Sequence, residues 1–484
     1  MNEPDEVSLY VKPVTKTIKL NVVQPTDVYK TLKKQTKMEY SYLLESGEGD
    51  TRSARYSFIG VNPIGRLEIN NSKPTLIGKT YANIDRQSKD PLKILETSFG
   101  KTKVLPTKNT PRFIGGAVGY LTYDIVRSYL PNLEEKRTTL NTPDAEFLYT
   151  KDVIVFDHLT QELCFVCCAL GEDEQEIKDD IPSAENQIAD LEEIVLTAEK
   201  SIVDFSQTKK NPEHTTDTTR DEFISMVKKS KNHIREGDIF QVVISKKAMT
   251  DAKDPYETYL ALKTVNPSPY LYFLEFGDTA VIGSSPEMLV RVNNNRVITR
   301  PIAGTRKRGT TELQDQTLAQ NMLNDPKELA EHIMLVDLHR NDLGRVCSYG
   351  SVDVTQLMEV VRYSHVQHIV TTVEGNLDKK CSSFDALRSL FPAGTVSGAP
   401  KVRAMEIIND LEIQRRGAYA GAVGYFSLDG NLDFAITIRT IVQNLSKAYV
   451  QAGSGIVSDS VPEKEWIESE NKAAAMMQAI SMVI

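Results

Sequence analysis

Two pairs of glutamates have the spacing of neighbours on a helix face. Glu328 and Glu331 are three residues apart near the start of one predicted helix, and Glu465 and Glu468 repeat that spacing near the start of another. Residues at positions i and i+3 share a helical face, so two such faces brought together would form a dense oxygen site. Mg²⁺ suits such a site because it takes one or two carboxylates and leaves positions for waters or an anionic substrate. A single pair has a simpler explanation, since acidic residues in a first turn also favour the helix dipole.

Groups that suit a carboxylate lie nearby in the sequence. Arg439 ends a predicted strand, Lys472 lies one helical turn beyond Glu468, and residues 451–456 (QAGSGI) contain glycines that could expose bare backbone N–H groups. Taken singly, Arg and Lys are usually solvated, and glycines often mark turns or bulges. Taken together, these groups would bind a dicarboxylate.

Two further segments have open chemical interpretations. His368, in the apolar segment 365–370, is the histidine that we expect to be most enclosed. A lone histidine on an apolar strand is more often a satisfied core residue than an acid or base. Residues 391–401 (FPAGTVSGAPK) are predicted to form a loop that enters a helix, without the G-x-x-x-x-G-K-[ST] order of a nucleotide-binding loop.

The elements that must position these groups alternate between short β-rich runs and helical stretches. Strands are predicted at 17–23, 56–61, 153–156, 239–244, 270–276 and 280–283, and helices at 181–200, 221–235, 313–339 and 462–484. We therefore expect an α+β fold with large antiparallel, sandwich-like sheets and helices outside them. Residues 116–120 (GAVGY) recur at 421–425, which leaves internal duplication and chance as two open explanations.

A polar segment at 206–220 (SQTKKNPEHTTDTTR) is the predicted domain boundary, because it lacks apolar periodicity. At 484 residues the chain exceeds the usual size of one domain. The resulting prediction is an N-terminal region at 1–215 and a second domain at 216–484.

Composition excludes several classes of function. The net charge of -9 argues against nonspecific binding of nucleic acid or anionic lipid, which needs clustered cations. The acidic start lacks the pattern of a secretion signal and no apolar run of about 18 residues occurs, so a cytoplasmic location is expected. Three of the five cysteines crowd into the apolar run 163–170, which is predicted to be a buried strand rather than a metal or redox site.

Several longer motifs resemble those of the chorismate-binding enzyme family. They follow the family's order across residues 221–475: GDIFQVV at 237–243, SPE at 285–287, PIAGTR at 301–306, HIMLVDLHRNDLGRV at 332–346, FPAGTVSGAPK at 391–401 and the segment 453–472. In the N-terminal half, LLES at 43–46 and RYSFIG at 55–60 resemble the anthranilate synthase component I branch. The resemblance implies a catalytic domain at 216–484 that binds chorismate.

The resemblance also assigns roles to individual residues. It implies that Glu331 and Glu468 hold Mg²⁺, with Glu328 and Glu465 beside them, and that Glu287 is the general acid. It implies that His368 is a catalytic histidine. The substrate would be bound by a further set, namely Thr395, Tyr419, Arg439, Gly453, Gly455 and Lys472.

Two positions discriminate between reactions within the family. Gln241 stands where relatives that add water have a lysine base, and Ala303 stands where aminodeoxychorismate synthases commonly have a nucleophilic lysine. The resemblance therefore implies amination of chorismate by ammonia to give anthranilate and pyruvate, the first step of tryptophan biosynthesis. Aminodeoxychorismate synthesis, or a non-catalytic homologue that binds a metabolite, are the alternatives.

A partner and an inhibitor are implied in the same way. The sequence lacks a cysteine nucleophile in a strand-to-helix elbow with a histidine partner, so ammonia would come from a separate glutamine amidotransferase subunit, in a heterotetramer. Tryptophan would inhibit by binding a pocket formed by Glu45, Ser46, Arg55, Pro269, Tyr270 and Leu271. The alternative is that these residues only join two sheets.

Overall fold

A computed structural model describes residues 7–19, 23–47, 55–60, 62–138, 142–200, 205, 212–363 and 366–483. Of the predicted boundary segment at 206–220, residues 206–211 lie outside the described residues. So do residues 20–22 of the predicted strand at 17–23, residue 61 of the predicted strand at 56–61 and residue 484 of the predicted C-terminal helix. Across the described ranges, no helix is both long enough and apolar enough to cross a membrane.

The first part of the chain contains ten strands and three helices among its described residues. In chain order they are β1 Leu9–Lys19, α1 Pro25–Thr36, β2 Tyr40–Glu45, β3 Tyr56–Gly60, β4 Gly65–Asn70, β5 Lys73–Gly78, α2 Pro91–Phe99, β6 Thr102–Val104, β7 Gly116–Leu121, β8 Ala145–Thr150, β9 Asp152–Asp157, β10 Glu162–Gly171 and α3 Glu174–Leu196.

The remaining elements follow residue 212. They are β11 His214–Thr216, α4 Arg220–Glu236, β12 Gln241–Asp251, α5 Pro255–Val265, β13 Tyr270–Phe276, β14 Thr279–Ser285, β15 Met288–Asn293, β16 Arg296–Thr299, β17 Ile302–Lys307, α6 Glu312–Leu323, α7 Pro326–Gly344, β18 Asp353–Arg362, β19 Val366–Asn376, α8 Ser383–Leu390, β20 Gly398–Ala399, α9 Lys401–Leu411, β21 Ala422–Ser427, β22 Leu432–Ile436, β23 Thr440–Asn444, β24 Lys447–Ile456 and α10 Pro462–Val483.

The strands form two large sheets, as the predicted α+β class requires. One is 13-stranded, in the order β11-β12-β24-β23-β14-β13-β2-β3-β9-β10-β1-β6, with β20 paired to β12. The other is 11-stranded, in the order β17-β19-β16-β15-β22-β21-β7-β8-β4-β5, with β18 paired to β19. One hydrophobic core draws on both sheets, and a second lies under helices that include α1, α3, α5 and α10.

The repeated GAVGY segments are neighbouring strands. They form β7 and β21, which pair antiparallel with Gly119 opposite Gly424. A Cβ atom at Gly119 would overlap the carbonyl oxygen of Glu146, and one at Gly424 would overlap that of Asp433. Each position therefore needs glycine for the same reason.

The strand orders repeat outward from the two central pairs. In the larger sheet β13-β14-β23-β24-β12 matches β2-β3-β9-β10-β1, and in the smaller one β21-β22-β15-β16 matches β7-β8-β4-β5. Matching details recur, because the ring of Tyr42 lies over Gly60 and that of Tyr272 lies over Gly283. Of the two explanations for the repeat, this arrangement supports duplication.

Two sequence predictions differ from the structure. The helix predicted at 313–339 is two helices, α6 and α7, because Asp325 caps α7 and Pro326 begins it. A residue before proline is driven out of the helical region, so the chain breaks there. The segment predicted as an unstructured boundary contains β11, which pairs with β12, and Thr219, which caps α4.

Other predictions agree with the structure. The cysteine-rich run is the strand β10, in which Cys167 and Cys168 are buried, and all five cysteines are free thiols.

Both sheets take strands from both sides of residue 215, since β2 pairs with β13 and β7 pairs with β21. The division into regions 1–215 and 216–484 stays a prediction about the sequence.

Candidate active site

One cavity of about 790 Å³ is lined by every residue that was predicted from the sequence to take part in catalysis, substrate binding or metal binding. Its lining includes Glu287, Glu328, Glu331, His368, Thr395, Tyr419, Arg439, Gly453, Gly455, Glu465, Glu468 and Lys472. These residues come from helices α7 and α10, strands β19 and β24, and connections between elements.

The two acidic helix faces meet at this cavity. Glu328 and Glu331 lie in the first two turns of α7, whose start is capped by the Asp325 carboxylate accepting from Lys327 N at 3.0 Å. Glu465 and Glu468 occupy the same place in α10. Burial and the negative charges of Glu328 and Glu468 raise the pKa of Glu331, so carboxylates of both helices repel one another.

This donor set fits a hard divalent cation. Carboxylate oxygens are the ligands of Mg²⁺ in proteins, and a cation would relieve the repulsion that raises the pKa of Glu331 and, with burial, that of Glu465. Among the described residues the tight cluster of metal-competent side chains is a different one, formed by His233, Glu236 and Asp238. The cavity glutamates therefore offer a pair of carboxylates rather than a closed cage.

Two cations line the same cavity. Arg439 is half-buried, has a left-handed φ of 52°, and donates from Nη1 to the carbonyl of Lys472 at 3.2 Å. A left-handed conformation is costly for a residue other than glycine and is retained mainly where the surroundings fix it. Lys472 Nζ lies 2.7 Å from Glu468 Oε1 and donates to the Gly453 carbonyl at 3.1 Å. Both cations can therefore face a carboxylate in the cavity.

Strand β24 presents bare backbone to the cavity at two glycines. A Cβ atom at Gly453 would come within 2.9 Å of the Tyr419 hydroxyl, and one at Gly455 within 2.8 Å of Nε2 of Gln241. Side chains at these positions would fill the space between the strand and those groups. The glycines keep it open for a ligand.

Glu287 is a buried carboxylic acid. Burial raises its pKa to about 8, against the opposing effects of the Thr395 hydroxyl, the Ile302 backbone and Lys472. It therefore holds its proton near neutral pH and can donate it to a leaving group.

His368 has a defined tautomer. Its Nδ1 donates to the Gly304 carbonyl at 2.9 Å, and because a carbonyl only accepts, the neutral ring keeps its lone pair on Nε2. Burial lowers the pKa of His368, which favours this neutral form. The expectation that it is the most enclosed histidine is wrong, since His332 and His339 are fully buried on the inner face of α7, while His368 is half-buried.

Several residues in or beside the cavity were not predicted as site residues. Arg306 donates from Nη1 to Glu328 Oε1 at 2.9 Å and so holds that carboxylate in place. Lys327 and Asn471 line the cavity directly. The only sequence signals are the PIAGTR motif and helical spacing from the glutamates. Gln241 and Ala303, the two discriminating positions, are in the same lining.

A second, small cavity of about 40 Å³ contains most of the nominated tryptophan pocket. Its lining includes Glu45, Ser46, Pro269, Tyr270 and Leu271, and also Arg112 and Asp433, which the sequence did not suggest. Arg55 lies outside this lining. Its guanidinium pairs with Asp157 at 2.7 Å and stacks on Tyr56 at 4.7 Å.

The chain is similar to known proteins along nearly its whole length. A family model described as chorismate binding enzyme matches residues 39–478. The anthranilate synthase component 1 of Acetivibrio thermocellus is 45% identical over 98% of this chain and 97% of its own, and that of Aquifex aeolicus is 42% identical over 98% and 95%.

Solved structures show the same fold. Anthranilate synthase component I from Streptococcus pneumoniae aligns with a TM-score of 0.77 and 38% identity, covering 88% of this chain and 92% of that one. The menaquinone-specific isochorismate synthase of Escherichia coli shares the fold at 18% identity, with a TM-score of 0.71 and coverage of 99% and 96%. The chain belongs to the chorismate binding enzyme family.

Proposed function

We propose that this chain is the synthase subunit of an anthranilate synthase, a lyase that converts chorismate and ammonia into anthranilate and pyruvate. The convergence of all twelve nominated residues on one cavity carries the proposal. The identity of 45% to an anthranilate synthase component 1 over almost the full length supports it.

The acidic wall is proposed as the metal site. Glu331 and Glu468 would hold Mg²⁺, with Glu328 and Glu465 beside them, and Arg306 would keep Glu328 oriented through its 2.9 Å hydrogen bond. When bound, Mg²⁺ would neutralise the ring carboxylate of chorismate.

The wall formed by Arg439, Tyr419 and strand β24 is proposed to bind the enolpyruvyl carboxylate. Arg439, Tyr419 and the backbone from Gly453 to Gly455 offer a cation, a hydroxyl and N–H groups around one space. Thr395 and Lys472 complete that pocket. A substrate held by both carboxylates would have its ring fixed between the walls, which supplies much of the orientation that amination needs.

Glu287 and His368 are proposed to move the protons. Ammonia attacks C2 while the C4 hydroxyl leaves, and the protonated Glu287 would give that hydroxyl its proton so that it departs as water. Aromatisation then removes the C2 proton and breaks the bond from C3 to the enolpyruvyl oxygen. His368, neutral with its lone pair on Nε2, is available to accept a proton.

Two features favour this reaction over its alternatives. Gln241 and Ala303 line the cavity, at the positions where relatives with other reactions have a lysine base or nucleophile, which favours ammonia itself as the nucleophile. A non-catalytic binding protein would not need a buried acid with a pKa of about 8.

The ammonia source and the regulation are part of the proposal. Burial raises the pKa of Cys167 and Cys168, which disfavours the thiolate that a glutaminase needs, so ammonia would come from a separate glutamine amidotransferase subunit in a heterotetramer. Tryptophan would inhibit by binding in the 40 Å³ cavity. The cavity would have to widen to admit it, because typical ligand sites have volumes of about 300 Å³ and more. Free thiols suit a cytoplasmic location.

The experiment that tests the reaction measures two products. The isolated chain is incubated with chorismate, Mg²⁺ and either ammonium or glutamine, and anthranilate fluorescence and pyruvate are followed together. We expect both products, in equal amounts, with ammonium but not with glutamine. Amination without pyruvate would identify an aminodeoxychorismate synthase, and no turnover would leave only a binding protein.

A further inference from the structure

A buried ion pair lies directly behind the substrate wall of the cavity. Glu412 follows helix α9 and Arg416 precedes Tyr419, and their side chains are 7% and 1% exposed. Arg416 Nε donates to Glu412 Oε2 at 2.8 Å, and Nη2 donates to Oε1 at 2.7 Å. The pair is bidentate and cut off from water, so its geometry is fixed.

The remaining donors of Arg416 hold two backbone segments of the cavity. Nη1 donates to the carbonyl of Val396, next to Thr395, at 2.7 Å. Nη2 also donates to the carbonyl of Val243 at 2.7 Å, and Val243 lies opposite Gly455 in the β12–β24 ladder. The guanidinium carbon lies 5.5 Å from the centre of the Tyr419 ring.

Glu412 extends the same network along β12. Its Oε1 accepts from the backbone N and the hydroxyl of Ser245, both at 2.8 Å, and Ser245 lies opposite Gly453. Because a carboxylate only accepts, the Ser245 hydroxyl must donate to it, and the hydroxyl in turn accepts from Nε2 of Gln451 at 2.8 Å. The side chain of Gln451 lines the cavity, and its Oε1 has no hydrogen-bond partner among the described residues.

Stability alone does not account for such a pair. Taking two charges out of water is costly, and an apolar pair of similar volume is often as stabilising or more so. What this pair supplies instead is a rigid link between three parts of the cavity wall. Its guanidinium and carboxylate contact the backbone next to Thr395, the ring of Tyr419, and strand β12, which pairs with the two glycines of β24.

We propose that Glu412 and Arg416 are positioning residues for substrate: their network holds the Thr395 loop, the Tyr419 ring and the β24 glycines at the spacing that the enolpyruvyl end of chorismate requires. The inference rests on the proposed function, since it takes chorismate as the ligand. Neither residue touches the cavity's acidic wall, so the network acts on one end of the substrate only.

The test measures equilibrium binding of chorismate by calorimetry with Mg²⁺ and without ammonium, so that no amination occurs. In a Glu412→Leu/Arg416→Met double variant, which leaves no buried charge unpaired, we expect the Kd for chorismate to rise roughly tenfold, as small misplacements of binding groups do. The unfolding midpoint is measured alongside, because the variant also removes the hydrogen-bond partners of the Val243 and Val396 carbonyls and of the Ser245 N–H. The pH at which activity falls, set by Glu287, does not move.

A smaller change protects the test against misfolding. Ser245→Ala keeps the ion pair and removes only the hydroxyl between Gln451 and Glu412, and we expect the Kd to rise roughly threefold. The control is Arg403→Met/Glu406→Leu, an exposed pair at 2.9 Å on the preceding helix α9, which leaves the Kd unchanged.

Two results overturn the proposal. One is a double variant that folds and binds chorismate within about twofold of the parent. The other is a double variant that does not fold, together with a Ser245→Ala variant that binds as the parent does. If the parent itself neither binds chorismate nor makes anthranilate, the proposed function fails and takes this inference with it.

Discussion

The ammonium of Lys472 lies 2.7 Å from a carboxylate oxygen of Glu468, one helical turn away on α10. The same ammonium donates to the carbonyl of Gly453 at 3.1 Å, so it connects the acidic wall to the glycine strand. A metal would compete with the ammonium for Glu468, and a substrate carboxylate would compete with the Gly453 carbonyl for the ammonium. Lys472 therefore couples the two halves of the proposed site.

Replacement of Lys472 by methionine should strengthen the binding of Mg²⁺ and weaken the binding of chorismate. Without the competing ammonium, Glu468 binds Mg²⁺ more tightly, by at most about fivefold because the pair is partly exposed. The KM for chorismate rises, since a cation facing its carboxylate is lost. Magnesium titration and chorismate saturation curves measure both, with Lys464→Met, an exposed lysine on the same helix, as the control. If the affinities for Mg²⁺ and for chorismate both fell, Lys472 would not connect the metal site to the substrate site in this way.

The activity should fall as the pH rises through the pKa of Glu287. The acid works only while protonated, and its pKa is raised to about 8. The measurement is kcat against pH with free ammonia held constant. In Glu287→Gln, kcat is lower by a factor on the order of 10²–10⁴ and its profile is flat in this range. A parent profile with no loss of activity above pH 8 would exclude Glu287 as the acid.

The same carboxyl should make the parent's stability depend on pH. Between the ordinary value of 4.5 and about 8, the folded state keeps a proton that the unfolded state releases. The folded state thus binds more protons, and the free energy of unfolding falls as the pH rises through this window. Glu287→Gln lacks this titration, so it gains stability relative to the parent from pH 5 to pH 8. Denaturant unfolding at both pH values would show parallel curves if Glu287 were not buried as an acid.

Inhibition by tryptophan should depend on Ser46. The Ser46 hydroxyl donates to the carbonyl of Tyr56 at 2.7 Å, at the rim of the 40 Å³ cavity. An arginine there would occupy the cavity, so Ser46→Arg should retain activity and lose inhibition. Ser446→Arg, at an exposed turn between β23 and β24, serves as the control. Equal inhibition of parent and Ser46→Arg by tryptophan would place the inhibitor elsewhere.

Much of this site could be predicted from the sequence because its parts are local patterns. Local geometry follows directly from three such patterns: glutamates three residues apart, a strand with alternate glycines, and a helix that begins at a proline. The fold class followed in the same way from the alternation of strands and helices.

What the sequence did not indicate depends on contacts between distant residues. The pairing of β7 with β21, the hydrogen bond between Arg306 and Glu328 and the buried pair Glu412–Arg416 have no local signature. The break between α6 and α7 was missed for a different reason. Its Asp325-Pro326 signal was present, but the apolar pattern on both sides favoured one long helix.

The most direct measurement is a crystal structure with Mn²⁺ in place of Mg²⁺ and an unreactive chorismate analogue, in which anomalous scattering locates the ion. The account predicts one ion bound by Glu331 and Glu468, in contact with the ring carboxylate of the analogue. An ion at His233, Glu236 and Asp238 instead, with the cavity glutamates free of metal, would contradict it.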